Sequence, residues 1–247
     1  NGDDKNIKKI SERISRTQIT FGKSRNCDYQ IKNINPVRGK QDFEIFDRKN
    51  KKIHKFKINL PGKHNVFNAA ASIGVAMEEG IPISYIKKGI SAFSGVGRRY
   101  EKHKIIIKSK EIILIDDYGH HPIEIESNIN AYKEEYPKKK VCMIFQPHRF
   151  SRTAQLFDDF IKVLAKADSL ILLDIYSASE KPIRGINSRT IVETIKQKGH
   201  KDVTYVKNHG DVINLINDKK DYFDIVVTQG AGSVSKVCES IKHKWKW

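Results

Sequence analysis

The chain has 247 residues, with 46 Lys and Arg against 29 Asp and Glu, for a formal charge of +17. That length suits one large or two ordinary domains with ample core, and no run approaches the ~18 apolar residues of a helical membrane span. The charge invites a nucleic-acid partner, but only 11 of the 46 basic residues are Arg, the lysines are scattered (Lys8-Lys9, Lys51-Lys52, Lys138-Lys139-Lys140), and no nucleic-acid-binding motif accompanies them.

From the N-terminus, Asn1-Gly2-Asp3-Asp4 shows no basic-then-apolar signal pattern, and no initiator Met precedes it. A fragment or a processed product is expected. Three cysteines, Cys27, Cys142 and Cys238, are odd in number, widely spaced and outside any metal-ligand pattern; a cytosolic chain is expected. Residues 1 to about 60 alternate short strand-like runs (17–21, 28–31, 42–46, 53–58) with polar turns. Gly22-Lys23-Ser24 looks like the end of a phosphate-binding loop, but position 17 is Thr where that loop needs Gly, and a strand-like run follows instead of a helix.

Leu60-Pro61-Gly62-Lys63-His64-Asn65-Val66-Phe67-Asn68 leads into an alanine-rich helix over 69–79, stopped by Gly80 and Pro82. Asn65 and Asn68, three apart, share a helix face, where two amides can offer donors and acceptors to a planar heterocycle. Alternatively, Asn65 simply caps the helix and Asn68 is solvated. A second helix is predicted over 84–92. Phe93-Ser94-Gly95-Val96-Gly97-Arg98-Arg99-Tyr100 then reads as an interdomain hinge. Its paired arginines are either a solvated patch or groups that reach phosphate oxygens bidentately.

Beyond the hinge, strands are predicted at 104–108, 111–116, 141–145, 170–174, 203–206 and 224–228, alternating with helices after the first pair. That order implies an α/β fold with a mainly parallel sheet covered on both faces. The strand ends carry polar clusters: Asp116-Asp117-Tyr118-Gly119-His120-His121-Pro122, then 146–152, then 174–180, then 228–233. Four decorated strand ends on one edge of a parallel sheet converge on one crevice. Any one acidic pair after a strand reads as caps and turn residues; the company of the other clusters argues for a site.

Together, Gly62-Lys63-His64-Asn65-Val66-Phe67-Asn68-Ala69, Gly95-Val96-Gly97-Arg98-Arg99, 116–122, Gln146-Pro147-His148-Arg149-Phe150-Ser151-Arg152-Thr153 and Gly230-Ala231-Gly232-Ser233 resemble the Mur ligases. The resemblance covers essentially the whole chain in the family's order. The 146–153 block favours the branch that joins L-alanine to UDP-N-acetylmuramate over the murein-peptide-recycling branch. Such ligases have an N-terminal domain for the UDP-sugar, a central ATP-binding domain and a C-terminal Rossmann-like domain. The resemblance implies that residues 1–97 are the later part of a central α/β domain and 98–247 the complete C-terminal domain.

Carried over by position, the resemblance implies that Asn65 and Asn68, with His64 beside them, contact the adenine region of ATP. Arg99 would reach the nucleotide phosphates as the catalytic arginine, and Asp117 would hold the ribose. Tyr118, His120, Arg149 and Arg152 would surround the amino acid and the acceptor carboxylate. The implied chemistry is phosphorylation of the muramoyl carboxylate by ATP and Mg²⁺, followed by attack of the alanine amine on the acyl phosphate. No metal ligand is assigned within the chain, because the phosphate loop, the upstream Mg²⁺ ligands and the UDP-sugar domain lie outside it; the isolated chain is expected to be inactive. Ser179 stands where the family has a glycine, which leaves the turn before Glu180 open. The competing class is a non-catalytic nucleotide- or anion-binding module.

Overall fold

The computed structural model describes residues 1–245 and divides into two units, 1–94 with 130–135, and 95–129 with 136 onward. The first holds α1 (Lys5–Ser11), β1 (Phe21–Gly22), β2 (Tyr29–Val37), β3 (Lys40–Asp47), β4 (Lys52–Ile58), α2 (Lys63–Glu78) and α3 (Ile83–Ala92). Its strands lie in sequence order, β1 parallel to β2 and the rest antiparallel. β3 buries every second residue, the period of a sheet with one covered face. Helix α2 lays Val66, Ala69, Ala70 and Ile73, spaced i, i+3, i+4, i+7, onto Tyr29, Ile31, Phe43, Ile45, Phe56 and Ile58. Phe43 and Phe56 face each other across β3 and β4 with ring centroids 5.8 Å apart.

Helix α1 departs from the sequence expectation. It buries no residue, and it starts where the Asp4 carboxylate accepts from the Asn6 and Ile7 N–H groups at 2.8 and 3.0 Å. Helix α2 begins at Lys63, six residues before the alanine run, with Gly62 at φ 85° as N-cap; Asn65 therefore stands in the first turn and not at the cap. The Lys23 and Ser24 N–H groups donate to the Asp3 carboxylate at 2.6 and 2.9 Å. That stretch is spent on an internal acid, as a loop lacking the phosphate-binding pattern would be.

After residue 94 come β5 (Glu101–Ile107), β6 (Lys110–Asp117), α4 (Pro122–Glu135), β7 (Val141–Phe145), α5 (Phe150–Gln155), α6 (Phe157–Leu164), β8 (Ser169–Leu173), α7 (Ser188–Gln197), β9 (Val203–Val206), α8 (His209–Lys219), β10 (Ile225–Gln229) and α9 (Val234–Lys244). The sheet order is β5-β6-β10-β7-β8-β9, with β5 antiparallel at one edge and all others parallel. β7, β8 and β10 are buried at every position, as strands covered on both faces must be. One face packs Ile112, Leu114, Cys142, Ile144 and Val226 against Val212 and Ile216 of α8 and Val237 and Ile241 of α9. Phe145 meets Phe160 of α6 with centroids 5.8 Å apart. The fold is the mainly parallel Rossmann-like α/β sheet expected. Strand β5 starts three residues early because Glu101 pairs with Asp116 in the hairpin.

Register brings four strand ends to one edge. Asp117 lies opposite Gln229, Gln229 opposite Phe145, and Phe145 opposite Leu172, so β6, β10, β7 and β8 end level with one another. Among the described residues no helix is long and apolar enough to cross a membrane.

Candidate active site

Five polar side chains at those strand ends, Asp116, Asp117, Gln146, Thr228 and Gln229, are buried, and buried polar groups need partners. Asp116 accepts from Arg98 Nε and from Thr228 Oγ1, both at 2.9 Å. Asp117 accepts from the Gly119 N–H at 2.6 Å and the Tyr100 N–H at 2.8 Å. Burial pushes its carboxyl above the usual range, against the pull of those amides, Asn128 and Arg99. Gln146 donates to the Asp174 carbonyl at 3.2 Å and accepts from the Val234 N–H at 2.8 Å, tying β7 to the end of β8 and the start of α9. Gln229 is the exception: neither its Nε2 nor its Oε1 has a hydrogen-bond partner.

The two arginines differ sharply. Arg98, one of the pair that the sequence left open between a solvated patch and phosphate-reaching groups, is fastened: besides its bond to Asp116, Nη2 donates to the Gly230 carbonyl at 2.8 Å, its N–H donates to Glu101 at 2.8 Å, and its carbonyl accepts from Tyr118 N–H at 2.7 Å. Arg99 is half-exposed and makes one ion pair, to Glu124 at 3.2 Å. Both guanidinium groups lie over the Tyr118 ring, 5.4 and 5.6 Å from its centroid.

Across the same edge runs a row of rings. Tyr118 meets His120 edge-on at 5.6 Å, His120 meets His148 at 5.4 Å, and His148 stacks on Tyr176 at 5.5 Å. Arg152 Nη1 lies 3.2 Å from His148 Nδ1. Burial lowers the His148 pKa, and His120, Arg152 and Arg149 lower it further. With Nδ1 accepting from Arg152, the neutral ring carries its proton on Nε2 and presents a donor. Arg149 is exposed, sits at φ 72°, and lies 4.0 Å from Glu180. Glu180 accepts from the Ser151 N–H at 2.9 Å and hydroxyl at 2.6 Å. Ala178 and Ser179 take φ 48° and 70°, so the left-handed turn is kept without glycine.

Gly230 and Gly232 serve close packing. A Cβ on Gly230 would lie 2.7 Å from the Gln146 carbonyl, and one on Gly232 would lie 2.5 Å from Gln146 Oε1 and 2.7 Å from Tyr176. In the first unit, His64, Asn65 and Asn68 cluster at the start of α2. The His64 ring folds over Gly62, whose Cβ would come within 2.7 Å of it; Asn65 Nδ2 donates to the Pro61 carbonyl at 2.8 Å; Asn68 is exposed.

The second unit thus brings together Arg99, Asp117, Tyr118, His120, Arg149 and Arg152, while His64, Asn65 and Asn68 form a separate group in the first. Sequence reasoning missed Glu124. Its carboxylate accepts from the His120 and His121 N–H groups at 2.9 and 3.0 Å and pairs with Arg99. The signal was present, since Pro122 opens α4 and Glu124 is its third residue, the acceptor position of a capping box.

Residues 98–232 match the family model described as Mur ligase, glutamate ligase domain, and residues 1–76 match the Mur ligase middle domain. The chain is 40% identical over 244 residues to the UDP-N-acetylmuramate–L-alanine ligase of Vesicomyosocius okutanii, covering 98% of this chain and 52% of that protein. It is similar to the crystal structure of UDP-N-acetylmuramate–alanine ligase from Thermotoga maritima, with TM-score 0.74 and 25% identity over 92% of this chain and 47% of that one. The fold also matches Thermotoga maritima MurF in complex with ADP, with TM-score 0.70 and 16% identity over 98% of this chain and 52% of that one. The chain spans about half the length of the curated relative it matches.

Proposed function

This chain belongs to the Mur ligase family, and on that premise we propose that it is part of a cytoplasmic ligase joining L-alanine to UDP-N-acetylmuramate at the expense of ATP. Residues 1–97 would be the later part of the central ATP-binding domain and 98–247 the C-terminal domain. The observation that carries the reading is the level strand edge of the second unit. There Arg152 meets His148 in the row of rings that also holds Tyr118 and His120, with Arg149 near enough to lower the His148 pKa, a setting suited to an amino-acid carboxylate. The identity to an alanine ligase, spread over nearly the whole chain, supports the same substrate.

Arg99 fits a nucleotide. It is half-exposed, and one exposed ion pair holding it is worth little and is readily exchanged for phosphate oxygens. Asp117 would turn a carboxylate to the ribose, and His64, Asn65 and Asn68 would take the adenine region. Among the described residues no group of three or more His, Cys, Asp or Glu side chains is placed to hold a metal ion. In this reading the ligands for Mg²⁺ belong to the part of the ligase outside the chain. In the reaction ATP phosphorylates the muramoyl carboxylate. Arg99 would offset charge on that transferring phosphoryl group, and the alanine amine, losing a proton, would then attack the acyl phosphate and displace phosphate. The amine must also be held against the carbonyl, a positioning task for Arg149, Arg152 and the rings.

The test is phosphate release. The full-length protein should release phosphate only with UDP-N-acetylmuramate and L-alanine both present, and this chain alone should release none. Turnover by the isolated chain would overturn the assignment of the missing machinery to the rest of the ligase.

A further inference from the structure

An amide buried at the end of the central strand with both polar atoms unpaired is costly, of the order that selection removes unless the group is used. Gln229 is such a group: it is wholly buried on β10, between Asp117 on β6 and Phe145 on β7. The turn after β6 packs against it. A Cβ placed on Gly119 would lie 2.7 Å from Asp117 Oδ1 and 2.9 Å from Gln229 Nε2, so the bare glycine backbone rests against both side chains at once. One residue thus packs against the carboxylate and the amide together.

We propose that Gln229 is a second ribose-recognition residue, working beside Asp117 when the Gly119 turn withdraws; the inference rests on the ligase reading above. The chemistry selects the ligand group. An unpaired primary amide offers donors and an acceptor together. A phosphate only accepts and an ammonium only donates, so each would leave half of the amide unpaired. A sugar hydroxyl does both, and a vicinal diol satisfies the carboxylate with one hydroxyl and the amide with the other. The Gly119 N–H now donates to Asp117 Oδ1, and that bond is the one a hydroxyl would replace.

The test uses the full-length ligase and compares kcat/KM for ATP with that for 2′-deoxy-ATP and 3′-deoxy-ATP. Gln229→Met keeps the side-chain length and removes both polar atoms. Wild type should prefer ATP over at least one analogue by roughly tenfold or more, and the variant should lose roughly tenfold of that preference. The variant's Tm should be unchanged or raised by roughly 2–4 °C, because two unpaired buried atoms are gone. A preference that survives in Gln229→Met overturns the proposal, as does a variant that melts lower or fails to fold, since the amide would then be satisfied in the resting protein. A variant-free arm follows the Gln229 side-chain amide signal by NMR in wild type. It should shift with ATP and stay still with 2′,3′-dideoxy-ATP, and equal shifts would overturn the assignment. Failure of wild type to form any alanine adduct would count against the ligase reading instead, and the NMR arm still decides the role of Gln229.

Discussion

Arg98 and Arg99 are chemically identical neighbours that the fold puts to different uses. The Arg98 guanidinium bridges a buried carboxylate and the Gly230 carbonyl, so Arg98→Ala leaves Asp116 without its cation and should cost about 2–4 kcal/mol of unfolding free energy. Arg99 is held by an exposed pair and by its place over the Tyr118 ring, and Arg99→Ala should change stability by less than about 1 kcal/mol. It should instead lower kcat of the full-length enzyme by roughly a hundredfold. Urea melts of this chain and turnover of the whole ligase check the two halves separately; equal destabilisation by both substitutions would contradict the contrast. Nothing in the Arg-Arg dipeptide distinguishes the two, because the difference arises from Asp116 and Gly230, distant in sequence. Ser179 is a second case. It stands at φ 70°, a region that costs a non-glycine residue about 1–2 kcal/mol. Ser179→Gly should therefore raise stability by up to about 1 kcal/mol after the added unfolded-state entropy is counted, and a lower Tm would contradict this.

At the scale of elements, helices and strands with a buried face were legible, and those without one were not. The spacing in α2 and the apolar runs of β7, β8 and β10 carry their own packing, so Ile73→Ala in α2 should cost about 2–5 kcal/mol. Helix α1 buries nothing and depends on the Asp4 cap, which explains why apolar periodicity did not reveal it. The first half of β5 is polar and becomes strand only through pairing with β6. Helix α4 shows how a legible cap acquires a site role. Burial alone would raise the Glu124 carboxyl, but the His120 and His121 amides and Arg99 hold it below the ordinary range. A depressed acid contributes stability that is present above its unfolded value of about 4.3 and lost as pH falls through the lower folded value. Amide exchange at the start of α4 should accelerate below about pH 4 in the wild type, and much less so in Glu124→Gln; identical pH profiles would contradict the cap.

At the scale of the molecule, the convergence of four strand ends followed from the alternation of strands and helices, since a parallel sheet sends every C-terminal strand end to one edge. The strand order, with β10 inserted between β6 and β7, was not legible, because it is set by long-range pairing that no local pattern encodes. That insertion is what places Gln229 and Thr228 beside the Asp116–Asp117 pair. The central claim is that this edge holds the amino acid, and its most direct measurement is steady-state kinetics of Arg152→Ala in the full-length ligase. Removing that guanidinium should raise KM for L-alanine by roughly tenfold or more, with KM for ATP nearly unchanged. Equal rises for both substrates, or no rise for L-alanine, would contradict the account.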